Sequence, residues 1–299
     1  MAVLIDVLIP IALIFLCGFL LQKKQVLDVR SLSAAALYIL NPALVFQTFY
    51  TTEPDSDLVR ITAFSVLFLL IMIIINKILK RIMKWSMKEE SGMMLATAFM
   101  NAGNFGAPLI LFALGEEAFA YAVIFMVIQA LLMNTAGVYI SNRSSLTPAD
   151  ALRVVIKMPV FHALLAGFTL QAARIPIKES YMDAVDLLAQ AAIPVVMIVL
   201  GMQLANISVS AIDWKAVSLG TAMRLVLSPL LAYALTYIVQ TNDTLSTVLI
   251  VSCAMPSAAT IAMIAVQFDS NPQLVSGVTL ISTILSVPSL WILLLIIGV

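Results

Sequence analysis

Apolar runs separated by short polar connections make up almost the whole chain. An α-helix needs about 20 residues to cross a hydrocarbon core about 30 Å thick. Windows of that length, bounded by charged or turn-forming residues, recur ten times, at residues 3–22, 33–50, 58–79, 92–114, 118–141, 155–173, 185–205, 215–239, 246–267 and 274–298. The pattern predicts an all-α polytopic membrane protein of ten transmembrane helices. No connection is long enough for a second folded domain. The longest are residues 80–91 and 142–154; in the latter, Thr147 before Pro148 reads as a helix N-cap opening a short amphipathic segment or, preferably, as part of a plain interfacial linker.

Composition strengthens this picture. Hydrophobic residues make up 62% of the chain and charged residues 11%, with a mean hydropathy of +1.08, far from the balance of a soluble domain. Cys17 and Cys253 both lie inside apolar runs, so buried thiols rather than a disulfide are expected. The net charge is zero, and nothing in its distribution points to a nucleic-acid partner.

Where the charges fall sets the orientation. The first, third, fifth and seventh connections carry 12 of the 16 basic residues, the alternate ones carry Arg60, Arg174 and Lys178, and Arg224 falls inside a span. Basic residues gather on the cytoplasmic side, so both termini are expected to face outward from a cell membrane. The first span carries Asp6 and no basic residue at its N-terminal end and is followed by Lys23 and Lys24, the reverse of a signal peptide.

The two halves repeat. Pro10 to Gln22 and Pro159 to Gln171 share proline, Gly-Phe, leucine and glutamine at identical spacing, 149 residues apart. Pro42 and Pro194 are 152 apart, and Pro108 and Pro256 are 148 apart. Residues 1–141 and 155–299 thus form two five-span repeats joined by a cytoplasmic linker, 142–154. Five is odd, so the repeats enter the membrane from opposite sides, as an inverted pair.

The most informative stretch is MNAGNFGAPLI, residues 100–110, inside the fourth span. Proline and two glycines weaken the helix, and unpaired backbone groups in hydrocarbon survive only against protein or a wet cavity. The ninth span offers its counterpart in Met255, Pro256, Ser257 and Thr260. Two broken helices meeting near the midplane would aim amide-rich ends at one point, which favours an anion.

Taken in order, the Asn101 to Pro108 pattern N-x-G-N-x-G-x-P, Asn41-Pro42, the Ile193 to Leu204 run, Arg224-Leu225 with Pro229, and Met255-Pro256-x-Ala258 resemble the auxin efflux carrier family over nearly the whole chain. That family includes plant auxin carriers and bacterial permeases often assigned to malate or malonate. The resemblance implies a bile acid symporter-like fold with crossed broken helices 4 and 9, a scaffold of helices 1, 2, 6 and 7, a moving domain of the other six, elevator-type alternation and a homodimer. It carries Asn101, Asn104 and Pro108 over as the substrate side of one crossover and Met255, Pro256 and Ser257 as the other; Gly103, Phe105 and Thr260, from the same broken segments, complete the expected substrate-binding set. One departure is Lys157-Met158-Pro159, where bacterial members often carry Lys-Asn-Pro.

Arg224 has two readings, a counter-charge or gate for substrate, or a structural arginine that snorkels or binds backbone carbonyls at a break; the second is preferred. His162, Asp183 and Asp186 read as packed or interfacial residues, and the 16 methionines as membrane packing. No nucleophile with its base, Gly-x-Gly-Asp pair or zinc motif is evident, so neither an enzyme nor a cofactor or metal site is expected. The sequence reading is a secondary transporter for small organic anions, with a sodium-coupled symporter of the bile acid type as the rival. The rival needs additional oxygen ligands, and the crossover segments carry no carboxylate.

Overall fold

The computed structural model of the chain describes residues 7–25, 27–52, 56–141, 153, 155–206 and 213–298. Thr147, Pro148 and most of the 142–154 linker lie outside them. Among the described residues the elements are α1 (Ile9–Gln25), α2 (Val29–Thr51), α3 (Ser56–Met83), α4 (Met87–Ala98), α5 (Ala102–Ser141), α6 (Pro159–Ala172), α7 (Glu179–Asn206), α8 (Trp214–Val239), α9 (Asp243–Cys253), α10 (Ala259–Gln267) and α11 (Pro272–Ile297). Six of these, α2, α3, α5, α7, α8 and α11, are long and apolar enough to cross a membrane, and α6 and α9 are shorter apolar helices. The chain is therefore a multi-pass, all-helical membrane protein.

These helices depart from the ten windows at definable places. Window 92–114 is cut at residues 99–101, between α4 and α5, and window 246–267 at residues 254–258, between α9 and α10. Windows 92–114 and 118–141 run together in α5, where Gly115 has φ 82° and ψ −173°. That conformation suits a residue without Cβ, so Gly115 supplies the turn between the two arms of α5.

Proline behaves differently from the sequence expectation. Pro42, Pro108 and Pro229 do not break their helices. Each sits two residues after the end of a five-residue π turn, at 36–40, 102–106 and 223–227. A proline lacks the N–H and crowds the carbonyl four residues back. Widening the preceding turn by one residue relieves that clash and lets the helix continue.

Two groups of helices form. α1, α2, α6 and α7 pack on one another, chiefly as the pairs α1 with α7 and α2 with α6. The remaining helices pack together, and the principal contacts between the groups run through α5. Glycine sets the two tight pairs. A Cβ on Gly18 would lie 2.1 Å from the Ile198 carbonyl oxygen, and one on Gly201 2.0 Å from that of Phe15. In the other pair, a Cβ on Gly167 would lie 2.7 Å from the Phe46 carbonyl oxygen.

Polar contacts sort by the end of the bundle. At one end Gln22 donates to Asn206 (3.3 Å), Ser270 to the Ser141 carbonyl (2.9 Å) and Ser91 to the Ile140 carbonyl (3.1 Å), and Lys88 pairs with Asp269. At the other, Asp57 accepts from Tyr121 (3.0 Å) and Asn242 (3.1 Å), Asp186 accepts from Gln47 (2.7 Å), and Tyr50 donates to the Ile175 carbonyl (3.2 Å). Connections of odd order thus meet only odd ones in these contacts, and even ones meet even.

Candidate functional site

The two breaks are joined to each other. Asn101 N donates to the Pro256 carbonyl at 2.8 Å and Ala258 N donates to the Phe99 carbonyl at 3.1 Å, an antiparallel bridge centred on Met100 and Ser257. The second break follows from Pro256, which holds the preceding residue out of helical geometry. The first has no proline. There the Asn101 side chain accepts from Asn104 N at 3.2 Å while its carbonyl accepts from Gly106 N at 2.9 Å, so the asparagine caps the start of α5. Sequence spacing paired Pro108 with Pro256, but the segments that meet are 99–101 and 256–258.

Beside this bridge lies a cavity of about 550 Å³, built from three helical stripes and the ends of others. Asn101, Gly103 and Asn104 reach it from the start of α5, and Met126, Gln129, Met133 and Asn134 from its second arm. Val196, Val199 and Gln203 come from α7, and Thr260, Met263, Ile264 and Gln267 from α10. These intervals of three and four residues are one face of a helix. Ser33, Tyr38, Asn41, Met100, Lys157 and Met158 complete the polar and sulfur-bearing lining. Three π turns, 36–40, 102–106 and 133–137, contribute residues to this wall.

The formal charge of the wall is one-sided, while its unpartnered buried polar atoms among the described residues include one acceptor, Gln203 Oε1, beside two donors. No aspartate or glutamate lines it, and Lys157 is its one charged residue among those described. Asn101 and Gln129 are each 5% exposed, and Asn101 Nδ2 and Gln129 Nε2 have no hydrogen-bond partner among the described residues. The bond from Asn104 N fixes Asn101 Oδ1 as the acceptor, so its Nδ2 is the donor left over. Unpaired buried donors of this kind are rare and call for a partner.

The sequence-derived set divides. Asn101, Gly103, Asn104 and Thr260 line the cavity. Phe105 turns to α1, edge-on to Phe15 with ring centroids 5.1 Å apart, and Pro108 is buried in the first turn after the π turn. Met255 packs beneath Gly106, Pro256 supplies the carbonyl of the bridge, and Ser257 N donates to Ser282 Oγ at 3.2 Å on α11. Arg224 is 0% exposed, and its guanidinium donates to the carbonyls of Thr97 and Cys253. Sequence reasoning missed Gln129, Asn134, Gln203, Gln267 and Lys157. The signal was there, since an amide inside an apolar span is itself a pointer to a wet site. Five methionines do more than pack the membrane interior, since Met100, Met126, Met133, Met158 and Met263 line the wall.

An amide-lined cavity beside two interrupted helices, in a multi-pass bundle, is the architecture of a membrane transporter. The chain belongs to the membrane transport protein family, the auxin efflux carrier family, whose model matches residues 3–294. It is 26% identical over 290 residues to an uncharacterized transporter of Methanothermobacter thermautotrophicus, covering 95% of each chain. It is 22% identical over 302 residues to an uncharacterized transporter of Methanocaldococcus jannaschii, covering 96% of this chain and 97% of the relative.

Proposed function

We propose that the protein is a secondary transporter for small organic anions, carboxylates foremost, which bind in the cavity beside the bridged breaks. The observation that carries this reading is the pair of unpartnered donors, Asn101 Nδ2 and Gln129 Nε2, in a wall without carboxylates. Both α5 and α10 begin at the cavity, so two helix N-termini add partial positive charge there. Lys157 at the mouth attracts the same guests.

Ten spans arranged as an inverted repeat account for the packing. Gly18 and Gly167 are 149 residues apart, their partners Phe46 and Ile198 152 apart, and the pairs α1 with α7 and α2 with α6 exchange under such symmetry. The sorting of polar contacts by odd and even connections supports the same topology, with the basic connections inside and both termini outside. On this topology Ser33, Gln203 and Gln267, near the ends of their helices, and Lys157, just before α6, fall on the inner side, which supports a cavity open inward. The group α1, α2, α6 and α7 suits a fixed scaffold, and the rest an elevator that carries the crossed breaks. A homodimer through that scaffold fits the family resemblance.

One observation favours sodium coupling as a second reading. Ser257, Thr279 and Ser282 form a buried hydroxyl cluster behind the second break, with Thr279 Oγ1 3.4 Å from Ser257 Oγ. A thermal-shift screen of carboxylates across pH, with and without sodium, separates the two. Stabilisation by a carboxylate in sodium-free buffer, about 2.7 kcal/mol at 100 times its Kd, is the expected result. Stabilisation only in sodium would favour the symporter, and none by any organic anion would refute the proposal.

A further inference from the structure

Arg224 does not line the cavity, yet it touches both halves of the device that forms it. Its Nη1 donates to the Thr97 carbonyl at 2.5 Å and its Nη2 to the Cys253 carbonyl at 2.6 Å. Thr97 lies in the last turn of α4 and Cys253 is the final residue of α9, so each carbonyl is beyond reach of any later N–H in its own helix. Each helix C-terminus carries about half a negative charge. Two of them offset one guanidinium, which explains why no carboxylate pairs with Arg224 among the described residues. The Phe68 ring, 5.8 Å away, closes one face of the group.

We infer that Arg224 is a positioning residue that locks the two breaks into one register from behind. The planar fork spans both carbonyls at once, which a single lysine ammonium on a flexible stem does not reproduce. The arrangement is asymmetric between the halves. Asn76, 148 residues before Arg224, occupies the corresponding place on α3 but reaches only the first break, donating to Thr97 Oγ1 at 3.0 Å and to the Met72 carbonyl at 2.8 Å. The bracing stands whatever the substrate; only its bearing on transport rests on the cavity being the anion site.

Hydrogen exchange of the full chain in lipid nanodiscs tests this without any ligand. In Arg224→Lys and Arg224→Gln, the segments 97–106 and 252–260 are expected to exchange faster together, by about 10-fold to 100-fold as charge-assisted bonds are lost. Segments around Gly18 and Gly201 should stay as in the wild type. Asn76→Ala should loosen 97–106 alone. Should the glutamine variant fail to fold, the lysine variant, which keeps the charge, carries the comparison. Wild-type protection in Arg224→Lys, loosening of one break only, or a uniform rise that includes the α1 and α7 segments would overturn the inference.

Discussion

Asn101→Asp is expected to reduce carboxylate uptake into proteoliposomes by about 100-fold or more while leaving the unfolding midpoint nearly unchanged. The aspartate keeps an oxygen where Asn101 Oδ1 accepts from Asn104 N, so the start of α5 stays capped. What changes is the other atom. A buried, unpartnered donor becomes an oxygen that repels an anion, and a hydrogen bond to a charged group is worth about 1.5–3 kcal/mol before that repulsion is added. Uptake and thermal unfolding measured on the same preparations separate the effects. Normal uptake would remove Asn101 from the site, and a collapse in stability would make it a structural cap only.

The second large effect is on the fold. Gly201→Val should lower the unfolding midpoint in detergent by about 6–12 °C, corresponding to about 3 kcal/mol of overpacking. The listening point is backbone, since the Phe15 carbonyl oxygen would sit 2.0 Å from the new Cβ and no side-chain rotation relieves it. α1 and α7 must separate, and with them one of the two tight pairs of the four-helix group. Gly167→Val, where the clash with Phe46 is at 2.7 Å, should cost less. An unchanged midpoint in Gly201→Val would show that the α1 and α7 pair is not packed this closely.

Much of this was legible in the chain. Window length and charge placement located the apolar segments, and the proline, glycines and asparagines of residues 100–110 marked the stretch that holds the first break. What spacing alone could not supply was direction. Residues 104 and 105 are neighbours in sequence, but one lines the cavity and the other faces Phe15. Proline misled for a physical reason. Three prolines were accommodated by π turns, while the first break came from an asparagine that bonds its own backbone. Gln129 and Gln203 lie away from the breaks, on the second arm of α5 and on α7, so no break pointed to them and the cavity wall is completed by ordinary helical faces. Of the two readings of Arg224, the structure places the side chain on backbone carbonyls at both breaks, a partner set that no sequence pattern specifies.

The location of the site can be tested at Thr260, which lines the cavity from α10 and makes only a long contact, 3.6 Å, to Met133 Sδ. A Thr260→Cys variant in a Cys17→Ala background leaves Cys253 as the other thiol, and that one is buried. Alkylation of the new thiol, followed with and without a carboxylate that stabilises the wild type, is the most direct measurement. The expected result is slower alkylation in the presence of that carboxylate and loss of its uptake once the thiol is modified. Unprotected alkylation together with undiminished uptake by the modified protein would place the substrate elsewhere.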